Sequence, residues 1–345
     1  MATTIRQIAE RAGVSPATVS LVLNGRPGAG AETRDRVLAA ASELDYRSRK
    51  REREPATRTI RFLRIAKHGQ IINPNHRVFI ADYIDGLERE SRLHRCTLEV
   101  TSYEHFYPEE ILPSLESGGL AGAIILGTEL DEADVEKFRS VRIPLGFIDT
   151  YHTSLDFDFV DMNNDSSVLK VVEYLHGQGH RRIGLVKGSV ETRNFRLRER
   201  SFLESLERFS LAFDPRDLFA IDSTFDQGKA TMARLLAGRR DLPSALFCVN
   251  DIIAYGCAQA LKEAGFSIPG DVSLVGFDDL PANDFMSPPL TSVKVSKHCI
   301  GQRAMQFMAL RLEDPGRPSE MNLVGGSLVI RDSVRARLDE GTEAR

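Results

Sequence analysis

The chain has 345 residues and a mass of 38.4 kDa, which implies two domains or slightly more. Hydrophobic residues at 42% and charged ones at 27% are ordinary for a globular protein, and no run of about 18 apolar residues exists, so a membrane-spanning chain is excluded. The formal net charge of −4 by itself argues against a nucleic-acid ligand, because phosphate binding needs a basic face.

That charge is uneven. Residues 1–64 hold thirteen basic and seven acidic side chains, a surplus of +6, so the remaining 281 residues carry −10. Such asymmetry fits nucleic-acid contact, although a solvated arginine-rich linker produces the same balance. The first residues lack the basic-then-apolar order of a secretory signal, so the expected location is the cytoplasm. Cys96, Cys248, Cys257 and Cys299 form no CxxC pair and have no nearby histidine, so buried free thiols are expected and neither a metal nor another cofactor is.

In chain order, Thr4 and Gln7 read as a capping box, and Ile5, Ile8, Ala9 and Ala12 fall on one helical face. Gly13 ends that helix and Val14 plugs the small core. Ser15 is a good N-cap, and Pro16 suits the first helical position, where a missing N–H costs nothing. The second helix should bury Val19, Val22 and Leu23, with Pro16, Ala17, Thr18, Ser20 and Leu21 outside or on the rim, and stop at Asn24-Gly25. A third, from about residue 32 to 44, carries Val37, Leu38, Ala41 and Leu44 as its apolar stripe. Two helices joined by a short glycine turn form a helix-turn-helix: the second helix offers free N–H groups and a positive dipole end to phosphate, and small residues let it enter the major groove. A plain three-helix bundle for protein contact has the same spacing.

The wording of the segment goes further. Thr4-Ile-Arg-Gln-Ile-Ala-Glu-Arg-Ala-Gly-Val-Ser-Pro-Ala-Thr-Val-Ser-Leu-Val-Leu-Asn-Gly25, with Thr33-Arg-Asp-Arg-Val and Glu43-Leu-Asp-Tyr46, resembles the headpiece of the lactose-repressor (LacI/GalR) family of transcriptional regulators. The resemblance implies phosphate contacts from Thr4, Ser15, Thr18, Ser20, Asn24 and Thr33, and base contacts from Pro16, Ala17 and Leu21. None of those three makes a bidentate hydrogen bond, so base selection should rest on thymine methyl contacts and DNA shape. The linker departs from the family: no leucine, isoleucine or methionine lies between Tyr46 and Ile60, so no apolar wedge into the minor groove is expected. Its arginines, Arg47 and Arg49 foremost, would instead clamp phosphates or enter a narrow minor groove. A disordered charged tether is the competing reading.

From Ile60 onward, short apolar runs alternate with segments of helical period, the signature of βα units. Strands are expected at 60–66, 96–100, 123–126, 145–149, 183–187, 219–221, 245–249 and 272–277. Helices are expected near 78–93, 109–117, 131–140, 165–178, 196–209, 227–238, 251–265 and 297–312, giving roughly two five-stranded open sheets. Ligands of such sheets bind beyond the carboxyl ends of the strands, which singles out Asp149, Gly188 and its loop, Asn250-Asp251 and Asp278-Asp279. No GxGxxG, GxxxxGK[ST] or GxSxG motif sits where an enzyme needs it, and Gly177-Gln-Gly179 fits a helix C-cap. Asp278 and Asp279, being consecutive, should point apart, one capping a turn and one facing ligand. The chain is not expected to be an enzyme.

Gly179-His-Arg-Arg-Ile-Gly184, Asn250-Asp251, Ile268-Pro-Gly-Asp-Val-Ser-Leu-Val-Gly-Phe-Asp-Asp279, Pro289-Leu-Thr291 and Leu328-Val-Ile-Arg-Asp-Ser333 resemble the effector core of the same repressors. That implies a two-lobed α/β core like a type I periplasmic binding protein behind an all-α headpiece, a small sugar-like effector between the lobes, and a homodimer on double-stranded operator DNA. The division would be headpiece 1–46, charged linker 47–58, one lobe of 59–161 with 295–326, the other of 162–294 with 327–338, and a tail 339–345; the stretch after Arg331 has no leucine heptads with which to build a tetramer. Effector contacts carried over are Phe79, Asp149, Asn194, Arg198, Asn250 and Asp278. Each has a plainer alternative: Phe79 as core, Asp149 and Asn250 as caps, Arg198 as part of a solvated face. Ser223 and Val295 depart from the pattern, and convergence of Arg196, Arg198 and Lys297 would favour an acidic effector. The competing function is a cytoplasmic small-molecule binding protein with a degenerate, non-specific DNA-binding head.

Overall fold

The computed structural model describes residues 3–23, 28–44, 46, 58–69 and 77–337. The chain divides into two units at residues 57 and 58.

The first unit holds α1 (Ile5–Ala12), α2 (Pro16–Leu23) and α3 (Ala31–Glu43). The capping box at Thr4 and Gln7 forms as expected, and Gly13 closes α1 with φ at +66°, a conformation that favours glycine. Ser15 Oγ accepts the Thr18 N–H (3.1 Å), starting α2 one turn later. The core consists of Ile8, Ala9, Ala12, Val19, Val22, Val37, Ala40 and Ala41, with Val14, Leu23, Leu44 and Tyr46 against it. Two apolar positions differ from expectation. Ile5 and Leu38 are exposed, and Ala40 takes the place given to Leu38, because so small a bundle closes on alanine-sized contacts.

The second unit contains two six-stranded sheets rather than two of five. The first comprises β1 (Arg58–Ile65), β2 (Cys96–Tyr103), β3 (Gly122–Leu126), β4 (Leu145–Ile148), β5 (Asp158–Met162) and β11 (Met321–Val324), in the order β11-β5-β4-β3-β1-β2 and parallel throughout. The second comprises β6 (Ile183–Gly188), β7 (Leu218–Ile221), β8 (Ala245–Cys248), β9 (Ser273–Asp278), β10 (Thr291–Lys294) and β12 (Ser327–Val329), in the order β12-β10-β9-β8-β6-β7 with only β12 antiparallel. The helices are α4 (Arg77–Leu93), α5 (Pro108–Ser117), α6 (Glu132–Lys137), α7 (Asn164–Gly177), α8 (Arg193–Arg208), α9 (Phe225–Leu236), α10 (Asp251–Glu263) and α11 (Lys297–Glu313). The chain passes between the sheets after Met162, after Lys294 and between Val324 and Ser327, so the cleft is spanned by three short crossings.

The central strands are buried on both faces, as parallel strands covered by helices must be. Helices α4 and α11 pack with almost no side chain between them. A Cβ on Gly86 would collide with the His298 carbonyl, and one on Gly301 with the Tyr83 carbonyl. Cys96, Cys248 and Cys257 are buried free thiols, whereas Cys299 is half-exposed.

Candidate DNA-contact head and effector cleft

The head's candidate contacts lie on α1 to α3. Ser15, Pro16 and Ala17 are exposed at the start of α2, with Thr18, Ser20 and Leu21 half-buried behind them. The Ser15 and Thr18 hydroxyls lie 2.9 Å apart, so both are oriented while remaining near solvent. Thr4 is exposed at the α1 cap and Thr33 half-buried in the first turn of α3. Asn24, Arg47 and Arg49 lie outside the described residues.

In the core, the strand ends converge on a cavity lined by all six candidates: Phe79, Asp149, Asn194, Arg198, Asn250 and Asp278. Phe79 and Tyr83 of α4 meet edge to face at 5.2 Å, so Phe79 is both core and cleft wall. Asn250 also has two roles: it caps α10 by accepting the Ile253 N–H (2.8 Å) and lines the cavity.

Asp149, just beyond β4, has φ at +61°, a left-handed conformation that is costly for aspartate and concentrates at functional sites. Both its carboxylate oxygens are engaged. Oδ1 accepts from the Tyr83 phenol (3.1 Å) and Asn194 Nδ2 (3.1 Å), while the Thr128 hydroxyl donates to Oδ2. Burial raises its pKa against the opposing pull of Thr128 and the Arg198 charge.

Asp278 differs. Also left-handed, with φ at +114°, it ends β9. Its Oδ1 is buried without a hydrogen-bond partner, and Arg198 Nη1 stands 3.9 Å away. Burial pushes its pKa up to about 6, opposed by the charges of Arg198 and Lys297 and assisted by Asp149. Asp279 points the other way, pairing with Arg331 at 2.8 Å, as expected of consecutive residues.

Arg198 is 3% exposed, which excludes the solvated-face reading. Its guanidinium stacks 3.7 Å from the Phe277 ring, and donates from Nε to Asn164 (2.9 Å), from Nη1 to the Val249 carbonyl (2.5 Å) and from Nη2 to the Met162 sulfur (2.8 Å). Thioether sulfur is a weak acceptor, so the Met162 sulfur is the partner of Arg198 that a ligand oxygen displaces most cheaply.

Asp251, behind the cleft, fixes the β9 exit. It accepts from Ser292 (2.6 Å), the Leu280 N–H (2.7 Å) and Asn283 (2.9 Å), and burial together with the Asp278 charge pushes its pKa up to about 7.

The expected cluster of three cations does not form. Arg196 is exposed on the outer face of α8 and faces Glu191 at 3.8 Å. Lys297 does reach inward: 6% exposed, it donates to the Asp278 carbonyl (2.9 Å), lies 5.0 Å from the centre of the Phe79 ring and 3.5 Å from Asp82. Two residues apart on α8, Arg196 and Arg198 face opposite sides of the helix, which the run Arg193–Arg200 conceals.

Thr128, Thr192, Ile80 and Phe195 also line the cavity and were not anticipated. Thr128 follows β3 directly and the strand-end rule would have reached it; Thr192, the N-cap of α8, is marked by the capping pattern. Tyr83 and Asp161, which hold the site from behind, carry no local signal.

Open strand ends facing one another across a cleft, in a chain that starts with a helix-turn-helix head, define a ligand-responsive DNA-binding regulator. Residues 4–48 match the family model for bacterial regulatory proteins of the lacI family, and residues 172–334 match a periplasmic binding protein-like domain. The transcriptional repressor CytR of Escherichia coli is 29% identical over 341 residues, covering 97% of each chain, and the repressor PurR of Haemophilus influenzae is 28% identical over 344 residues, covering 97% of this chain and 99% of its own. Among solved structures, a regulator CelR–cellobiose complex superposes with a TM-score of 0.72 at 23% identity, covering 96% of this chain and 99% of that one. A lac repressor dimer bound to operator and the anti-inducer ONPF does so with a TM-score of 0.72 at 23% identity, covering 97% and 100%. The chain therefore carries a lacI-family regulatory segment at residues 4–48 and is similar over nearly its whole length to transcriptional repressors. It is a DNA-binding transcriptional regulator, and its relatives are regulators rather than enzymes. Among the described residues no helix is long and apolar enough to cross a membrane.

Proposed function

We propose that the chain is a cytoplasmic, non-enzymatic repressor acting as a homodimer, with one head on each half of a pseudo-palindromic operator and affinity set by a polyhydroxylated, sugar-like effector. The carrying observation is the unpartnered Asp278 Oδ1 beside the Arg198 guanidinium in the cleft. A ligand hydroxyl donates to the carboxylate while its oxygen accepts from Arg198, and Phe79 covers an apolar sugar face. An acidic effector is less favoured than a neutral one, because Arg196 points away and buried carboxylates accompany the two remaining cations. In this reading the head is 1–46, the linker 47–58, the lobes 59–161 with 295–326 and 162–294 with 327–338, and the tail 339–345. Ser15, Thr18 and Ser20 seat α2 against phosphates, assisted by Thr4 and Thr33, while Pro16, Ala17 and Leu21 meet base edges.

Effector closing the cleft changes how the lobes sit and so the spacing of two heads, and the coupling is reciprocal: operator and effector alter each other's affinity by the same factor. A mobility-shift titration across salt concentrations tests the reading. Selection of one sequence over bulk DNA, with release by a neutral sugar, is expected; equal binding of all sequences would instead point to a degenerate head. That alternative is disfavoured by the full-length match to repressors.

A further inference from the structure

Asn164 does not line the cleft cavity, yet it joins two residues that do. It opens α7, two residues after Met162, where the chain leaves the first sheet for the second, and it is 3% exposed. Its Oδ1 accepts from Arg198 Nε (2.9 Å), and its Nδ2 donates to Asn194 Oδ1 (2.8 Å) and to the Met162 carbonyl (3.3 Å). Asn194 in turn donates from Nδ2 to the Asp149 carbonyl (3.0 Å) and to Asp149 Oδ1 (3.1 Å), with a longer contact to Asp161 Oδ1 (3.4 Å). A line of hydrogen bonds therefore runs from Arg198 of α8, through two buried amides, to Asp149 beyond β4. It starts on a helix of the second sheet and ends on a strand exit of the first.

The direction of that line is dictated at both ends. A guanidinium has donors and no acceptor, so the amide oxygen of Asn164 has to face Arg198, which leaves its NH2 facing Asn194. Asn194 meets it with its own oxygen, and this turns the NH2 of Asn194 toward Asp149, which accepts through both its carbonyl and its carboxylate. Reversing either amide sets like against like on both of its sides. Asn164, Asn194, Arg198 and Asp149 are each at most 4% exposed, so bulk water does not make good a bond lost from the line.

We propose that Asn164 is a positioning residue of the effector site: through one polarised relay it fixes the direction of the Asn194 amide, and with it the bond by which α8 holds Asp149 of the opposite wall. Arg198 and Asp149 are thereby oriented together. The relay is also anchored to the crossing after β5, because Arg198 and Asn164 both bond to Met162. Its bearing on effector recognition rests on the function proposed above. The relay itself is tested with neither effector nor operator, so failure here leaves that function standing.

Asn164→Asp keeps the shape of the side chain and the acceptor for Arg198 but removes the donor, so the Asn194 amide has to turn and set its oxygen against Asp149. Asp149→Asn then supplies the missing donor and lets the relay run in reverse. Asp278→Asn is the control for charge: it removes a carboxylate 3.9 Å from the same guanidinium but stands outside the relay. Thermal unfolding of the full-length chain compares the three single variants with the two double variants. Asn164→Asp should melt several degrees below the native chain. In the Asp149→Asn background the same substitution should cost less than half as much, and in the Asp278→Asn background close to its full cost. Should Asn164→Asp not fold, adding Asp149→Asn should restore folding and adding Asp278→Asn should not. An Asn164→Asp variant as stable as native, no relief from Asp149→Asn, or relief from Asp278→Asn as large as that from Asp149→Asn would overturn the proposal, the last because charge alone then accounts for the effect.

Discussion

The two walls of the cleft use similar residues in opposite ways. On the first-sheet side, Asp149 has both carboxylate oxygens engaged, by Tyr83, Thr128 and Asn194. On the second-sheet side, Asp278 keeps a buried oxygen without a hydrogen-bond partner, and Ser223, packed near Gly188 and Phe195, keeps a buried hydroxyl in the same state. Unpartnered buried polar atoms are costly, and those of Asp278 and Ser223 lie where the proposed effector would complete them. In the proposed function the first wall is thus a shaped support, and the effector contacts concentrate on the second.

The comparison breaks most visibly at Arg198. Arg198→Ala removes the donor to Asn164 and Val249 and the charge facing Asp278, and should cost about 3 kcal/mol in chemical denaturation while abolishing release of operator by effector. Asp278→Asn should leave the fold intact yet weaken effector binding by about 2 kcal/mol in calorimetry, roughly 30-fold, with operator affinity unchanged; an unaltered Kd would move recognition to the first wall. Tyr83→Phe removes one of three donors to Asp149 and should cost about 1 kcal/mol of stability, with effector affinity little changed. Ser223→Ala is the mildest: without ligand, stability should stay within about 0.5 kcal/mol of native, or rise slightly, because no bond is lost. A loss of effector affinity in that variant would place the Ser223 hydroxyl on the ligand.

Much of the fold is legible in the sequence because parallel strands covered on both faces must be continuous apolar runs. Leu145–Ile148 and Ala245–Cys248 are of this kind. The strands not anticipated are those that break that rule. Met321–Val324 and Ser327–Val329 are short edge strands with no buried residue, and Asp158–Met162 and Thr291–Lys294 carry polar residues toward the crossings. Their pairing is decided by distant partners rather than by local pattern. The six expected cleft residues do converge, since each lies at or just beyond a strand end or on a facing helix. Arg196 failed because a run of arginines does not reveal which of them faces inward, and Asp161 escaped notice because only its surroundings make it unusual. How the six engage an effector is a matter for the variants above.

The glycine contact between α4 and α11 has a mechanical meaning. Helix α4 carries Phe79 and Tyr83 to the cleft, while α11 starts at Lys297, immediately after the chain has crossed from the second sheet. Where Gly86 and Gly301 meet, backbone bears on backbone, and no rotamer is available to absorb a displacement. The two helices therefore sit backbone to backbone, and neither can be displaced at this point without displacing the other; two missing methyl groups make that contact.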